Sequence, residues 1–116
     1  MAQTLIDDIL YAREKNKSEK DYSPAEVFSV TEIVKNHIPL NTELQSALHT
    51  LKENKFKIQT LEKLTREKKQ YDQIYQAVYD PRKWYWFGFG DVVTITLYVN
   101  QGKVQNISGS IKYMAL

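Results

Sequence analysis

The spacing of apolar and polar positions changes character once along the chain. Up to Asp80-Pro81 the apolar residues recur at helical intervals among Lys and Glu; beyond it they alternate with Thr, Ser and Asn, and all four glycines lie there. The first part therefore reads as helices and the second as strands. The expected fold class is α+β: about four N-terminal helices within residues 3–80, packed on a C-terminal three-stranded antiparallel meander over residues 83–113. The 116 residues suit one domain, 1–116.

Leu5, Ile6, Ile9 and Leu10 form one apolar face of a first helix. It begins at Thr4, since Thr4 and Asp7 have the N-cap and N3 spacing of a capping box. Asp7 and Asp8 in its first turn, with Arg13, Lys15 and Lys17 in its last, suit the helix dipole. A second helix has Ser23 as N-cap, Pro24 at N1 and Glu26 at N3, with Tyr22 and Val27 as a hydrophobic staple. Val27, Val30, Ile33 and Val34 face inward, and Pro39 ends the helix at or before Ile38. Thr42 and Gln45 cap a third helix, in which Leu44, Ala47, Leu48 and Leu51 share a face and which frays near Asn54. A fourth runs from about Thr60 to Tyr79 along Leu61, Leu64, Lys68, Tyr71, Tyr75 and Val78. The third and fourth are either separate or fused through Phe56 and Ile58.

In the strand region Phe89-Gly90-Asp91-Val92 has the form of a two-residue hairpin with Gly first, as a type II′ turn requires. That register pairs Phe89 with Val92, Phe87 with Thr94 and Tyr85 with Thr96. It places Trp84, Trp86, Val93, Ile95, Leu97 and Val99 on one face, under the helices. Asn100-Gln101-Gly102 reads as a three-residue loop with Gly102 as its left-handed bulge residue, so that Ile95 faces Ile107. The opposite face then carries Tyr85, Phe87, Phe89 and Tyr98 among Thr94, Thr96, Asn106, Ser108 and Ser110. Three aromatics along one strand amount to on the order of 450–700 Å² of contact surface. A patch of that size marks a contact surface for a partner, unless the N-terminal helix or a second copy covers it as ordinary core.

Composition narrows the function classes. The sequence has no cysteine, which removes disulfides, thiolate metal sites and cysteine nucleophiles, and suits a reducing compartment. The first eight residues lack a basic stretch followed by an apolar run, and no segment approaches the roughly 18 apolar residues of a membrane span. The expectation is a cytoplasmic protein without a membrane. Net charge is only +2, but uneven: residues 1–50 hold eight acids and five bases, residues 51–83 five acids and nine bases, and residues 84–116 one acid and two bases. The basic middle suits an anion or, more simply, a solvated helix face.

The sequence contains no P-loop, G-x-S-x-G or H-E-x-x-H motif, and Gly88-x-Gly90 falls in a hairpin rather than before a helix. His37 and His49 sit on different expected helices, so no metal cluster and no cofactor is expected. His37 suits a helix end, near the dipole's negative pole. Asp80 and Asp91 are explained as turn formers.

The segment Thr31 to Ile58, helix, short turn, helix and then Lys55-Phe56-Lys57-Ile58, resembles a helix-turn-helix, in an order similar to winged-helix proteins. That resemblance implies a DNA-binding surface of Gln45 and His49 on the outer helix face beside Thr42, Glu43 and Ser46, with Lys52, Lys55 and Lys57 on phosphates. Ile38-Pro39 in the turn, and a candidate recognition helix that opens on Glu43, depart from the pattern. The aromatic strand, Val93 to Val99 and the following Gly turn are also similar to the meander of SmpA/OmlA-type lipoprotein domains, over roughly thirty residues. The lipoprotein signal and acylated Cys are missing, so their function is not carried over. The primary expectation is a non-catalytic protein-interaction module, binding another protein or its own copy through Tyr85, Phe87, Phe89 and Tyr98. DNA binding is the alternative, and a small enzyme with an unrecognised site a distant third.

Overall fold

The computed structural model describes residues 4–17, 27–60, 71–81 and 90–114. Among them are three helices, α1 (Leu5–Lys17), α2 (Thr31–His37) and α3 (Leu44–Glu53), and five strands: β1 (Phe28–Ser29), β2 (Lys57–Thr60), β3 (Gln73–Tyr79), β4 (Gly90–Asn100) and β5 (Lys103–Met114). The strands form one antiparallel sheet in the order β1-β5-β4-β3-β2. The protein is α+β, but four helices on a three-stranded meander is corrected, among the described residues, to three helices on five strands.

The largest correction is the fourth helix. Tyr71, Tyr75 and Val78 fit a helical stripe, yet residues 73–79 form β3, and residues 57–60 form β2 in place of a helical fusion. The same stretch fits period two equally well. Tyr75, Ala77 and Tyr79 point to the core, while Ile74, Gln76 and Val78 point away. Its Tyr, Ile and Val content favours the pleat, and pairing with β2 on one side and β4 on the other decides the matter. Residues 61–70 of the expected helix lie outside the described residues.

A second correction follows. β4 is flanked by β3 and β5 along its length, so the Gly90-Asp91 hairpin is replaced: Gly90 pairs with Met114 and Asp91 with Tyr113 inside the β4–β5 ladder. The turn after β4 is two residues long rather than three. Asn100 pairs with Lys103 across Gln101 (φ 54°) and Gly102 (φ 74°), the pair of left-handed residues that a type I′ hairpin needs. A bulge after Tyr98 shifts the register, so that Leu97 rather than Ile95 faces Ile107, and Ile95 faces Gly109.

The helices are better matched. In α1 the Asp7 N–H donates to Thr4 Oγ1 at 3.2 Å and the Thr4 N–H to Asp7 Oδ2 at 3.4 Å, the expected capping box. Its buried line is Leu5, Ile9 and Arg13; Leu10 is turned out to solvent. The second helix begins late. Val27 is exposed, Phe28 and Ser29 pair with Ile111 and Ser110, and α2 starts only after Val30. The proposed cap residues Tyr22, Ser23, Pro24 and Glu26 lie outside the described residues. The helix stops before Ile38-Pro39, as proline requires. The N-cap of α3 is Glu43 rather than Thr42, whose hydroxyl donates to the Pro39 carbonyl.

All three helices pack on one face of the sheet. The core joins Leu5 and Ile9 of α1, Val34 of α2, and Leu44, Ala47 and Leu51 of α3 to Ala77, Val93, Ile95, Leu97, Val99, Ile107 and Ile111. Polar contacts fasten the helices at fixed points. Asn54, buried at the end of α3, accepts the Ile6 N–H at 3.0 Å on Oδ1 and donates through Nδ2 to the Thr50 carbonyl at 2.7 Å. Ile6 carries one of the N–H groups that a helix start leaves without an intrahelical acceptor. Asn54→Ala should therefore lower stability by about 1–2 kcal/mol in urea unfolding, most of it from leaving that donor buried and unpaired.

After Asn54 the chain reverses in a Schellman turn. The Phe56 N–H donates to the Leu51 carbonyl and the Lys55 N–H to that of Lys52, with Lys55 at φ 68°. A lysine there carries the steric penalty of the left-handed region. Lys55→Gly should raise stability by about 0.5–1 kcal/mol in the same assay. A loss would mean that the Lys55 side chain contributes more than its backbone strain costs.

The free edge of β5 is covered piecemeal, as natural sheets require. The Asn41 N–H and Thr42 carbonyl bond Val104, the Ile107 N–H is taken by Asn106 Oδ1, and the Gly109 carbonyl accepts the Val30 N–H at 2.9 Å. Thr31 Oγ1 accepts the Gly109 N–H at 3.0 Å.

Candidate functional site

Strand register assigns every described position to one side of the sheet. Inner positions carry the core. The outer side carries Val92, Thr94, Thr96 and Tyr98 from β4; Ile74, Gln76 and Val78 from β3; Lys57 and Gln59 from β2; Asn106, Ser108, Ser110 and Lys112 from β5; and Ser29 from β1. None of the described helices packs on this side.

Its chemistry is unusual for a solvated sheet face. The register also puts the pair Asn100 and Lys103 on this side, next to the β4–β5 turn, so its charged positions are Lys57, Lys103 and Lys112, all towards the margins of the face. The centre is hydroxyl and amide: Thr94, Thr96, Gln76 and Ser110 are half-buried, Ser108 and Asn106 exposed. Gln59 Nε2 donates to Gln76 Oε1 across the strands at 2.7 Å. Tyr98 is half-buried, and its ring meets that of Tyr71 with centroids 5.0 Å apart at 46°. Ile74, opposite Tyr98 in register, is fully buried, and Val92 at the other end of β4 is 5% exposed; neither belongs to the main core.

The expected aromatic site is only partly within view. Tyr98 lies on the outer face as expected, while Tyr85, Phe87 and Phe89 lie outside the described residues. The pairing that was to align them with β4 is corrected: Val92 stands opposite Lys112, Thr94 opposite Val78 and Ser110, and Thr96 opposite Gln76 and Ser108. Tyr71, Ile74 and Gln76 were missed as members of this face because the helical reading of 60–79 placed them elsewhere.

The alternative DNA-binding residues separate into two groups. Gln45, His49 and Lys52 form one exposed stripe on α3, at i, i+4 and i+7. Lys55 and Lys57 are also exposed, but Lys57 is in register with Val78 and so points to the side of the sheet away from α3. His49 Nε2 lies 2.7 Å from Glu53 Oε1, on an exposed turn of α3. From Thr31 the element order is the expected helix, turn, helix and short strand: α2, α3 and β2.

Other polar groups serve the scaffold. His37 ends α2 as expected, and its Nε2 lies 2.5 Å from Asp8 Oδ2, joining α2 to α1. Asp91 is inside β4 rather than in a turn, with Oδ1 accepting from Arg13 Nη2 at 3.1 Å and Nε at 3.3 Å. Asp72 Oδ2 accepts the Gln101 N–H and Asn100 Oδ1 the Asp72 N–H, tying the start of β3 to the β4–β5 turn. Among the described residues no three His, Cys, Asp or Glu gather as a metal site. An open depression of about 270 Å³ lies between Glu43, Leu44 and Gln45 and the turn Gln101-Gly102-Lys103, with one acid and one base on its rim. Among the described residues no helix is long and apolar enough to cross a membrane.

Comparison with family models, with curated proteins and with solved structures finds no match to this chain.

Proposed function

We propose that the protein is a non-catalytic interaction module that docks a protein surface on the face of its sheet opposite the described helices. The observation that carries this reading is the near absence of charge from the centre of that face. A strand face that meets only water has no reason to avoid Lys and Glu, whereas the cores of protein interfaces are depleted in charge and enriched in aromatics. Short hydroxyl and amide side chains around a tyrosine also make an adaptable hydrogen-bonding surface. The reading is non-catalytic because the sequence carries no catalytic motif, and the lack of cysteine suits a cytoplasmic setting.

The test is a charge placed at the centre of the face. Thr96→Lys should leave the thermal midpoint within about 2 °C of the parent chain, because its side chain points away from the core. It should cut partner retention by an immobilised chain in cell extract at least tenfold, since burying an unpaired charge in an interface costs more than about 1.4 kcal/mol. Lys52→Glu on α3 should retain the partner. The opposite pattern would overturn the reading.

A second reading has one observation in its favour: the stripe Gln45, His49 and Lys52 is exposed along a helix that follows a helix and a turn. It predicts salt-dependent binding of duplex DNA that weakens in Lys52→Glu. Against it, Lys57 points to the other side of the sheet, and Glu43 and Glu53 bracket the helix.

A further inference from the structure

Among the described residues only two polar side chains are buried, Arg13 and Asn54, and both lie in the seat of α1; every other buried side chain there is apolar. From this we propose that α1 is a detachable strap, which leaves its seat as one unit while α2, α3 and the sheet stay folded. The proposal is independent of the docking face above.

The apolar share of the seat is small. Of the thirteen residues of α1, Leu5 and Ile9 are the fully buried hydrophobes, Ile6 and Ala12 are half-buried, and Leu10 and Tyr11 face solvent. The third inward position is Arg13. Polar contacts reach α1 from three elements. Asn54 at the end of α3 accepts the Ile6 N–H, His37 at the end of α2 meets Asp8, and Asp91 at the start of β4 accepts from Arg13. Water serves each of these groups once α1 lifts, and the Arg13 guanidinium regains the hydration that burial took from it. Apart from the burial of a few hydrophobes, opening forfeits little that water does not return.

The other helices are tied differently. The Val30 N–H before α2 bonds the Gly109 carbonyl, the Asn41 N–H and Thr42 carbonyl bond Val104, and the Leu44 N–H bonds the Gly102 carbonyl at 2.8 Å. α2 and α3 are thus laced to β5 through the backbone, and lifting either strips the sheet edge. The ties described for α1 run through side chains. A polar seam of this kind resembles the boundary between separable parts more than a core. Elements seated on such seams supply the low-free-energy openings of a native protein. Release of α1 uncovers the inner layer between α2, the end of α3 and the start of β4, so access to that ground is conditional on the strap.

Native-state hydrogen exchange of the full chain in rising urea, read by NMR, tests this. The amides of Ile9, Leu10, Tyr11 and Ala12 should exchange about a hundredfold faster or more than those of Ile95 and Leu97, through one shared opening with a shallower urea dependence. Equal rates and slopes in the two sets would make α1 part of the global unit and overturn the strap. Rates graded along the helix would mean fraying from its end, and overturn it too. Ile9→Glu supplies a second readout. A carboxylate in the seat should hold the strap open, so that the α1 amides lose protection while Ile95 and Leu97 remain about a hundredfold or more better protected than they are. Loss of protection in the sheet as well would show that the rest does not stand without α1, and the proposal would fall.

Discussion

Asp91→Ala should cost about 2–3 kcal/mol of folding stability in denaturant unfolding at neutral pH, and lower the thermal midpoint by on the order of 10 °C. The Arg13 side chain is 2% exposed and that of Asp91 16%. Arg13 sits on the inward line of α1, one turn beyond Ile9, where continuing the Leu5–Ile9 spacing would place a hydrophobe. It is tolerated there because Nη2 and Nε both reach Asp91 Oδ1. Removing the carboxylate takes from the buried guanidinium an acceptor of two of its N–H groups, so part of the desolvation already incurred is no longer offset. Removing the guanidinium is different. Arg13→Met takes the buried charge away, fills part of the same volume, and leaves a carboxylate that is closer to solvent. It should cost clearly less than Asp91→Ala, and Arg13→Met with Asp91→Leu should recover most of the loss. If Arg13→Met proved the more damaging single change, the guanidinium would be making contacts worth more than the pair itself.

That pair also marks where sequence reading stops. Local signals were legible: the Thr4–Asp7 capping box, the stop before Pro39, the Leu44/Ala47/Leu51 face of α3, and the odd-numbered core face of β4 from Val93 to Val99 all match the structure. Each depends on residues within a turn or a strand of one another. Arg13 and Asp91 are 78 positions apart, and nothing in either segment announces the other. The misreading of β3 has the same origin. Tyr71, Tyr75 and Val78 satisfy a helix, Tyr75, Ala77 and Tyr79 satisfy a strand, and only hydrogen bonding to β2 and β4 decides between them. Reading a Gly90-Asp91 turn repeated the error in reverse, taking a good local turn pair at face value when the ladder with β5 runs straight through it. The candidate face was half legible. Its low charge is visible in residues 84–116, which hold one acid and two bases, and Tyr98 was placed correctly. The contribution of β3, with Tyr71 beside Tyr98, became visible only once the strand had replaced the helix.

Substitution at Gly109 should be the most damaging change of size in the sheet, with Gly109→Val lowering stability by about 3 kcal/mol and Gly109→Ala by less. The reason is proximity. A Cβ built at Gly109 would stand 3.0 Å from Val34 Cγ2 and 3.2 Å from Val30 Cγ2, so the first turn of α2 lies directly on this backbone. The β-branched Val30 and Val34 have few other rotamers to adopt. Nor can the helix retreat cheaply. The Val30 N–H is bound to the Gly109 carbonyl at 2.9 Å, and Thr31 Oγ1 accepts the Gly109 N–H at 3.0 Å, so moving α2 outwards stretches both bonds. Those bonds also help to close the edge of β5, and losing them would leave buried backbone groups unpaired. The competing strain fixes the expected rescue. Val34→Ala removes the Cγ2 that the new Cβ meets, so Gly109→Ala with Val34→Ala should be less destabilised than the sum of the two single changes, with a coupling of about 1 kcal/mol in a double-mutant cycle. Strict additivity would mean that the sheet, and not α2, yields to the added methyl, and that the close approach of helix to strand is not what requires glycine here.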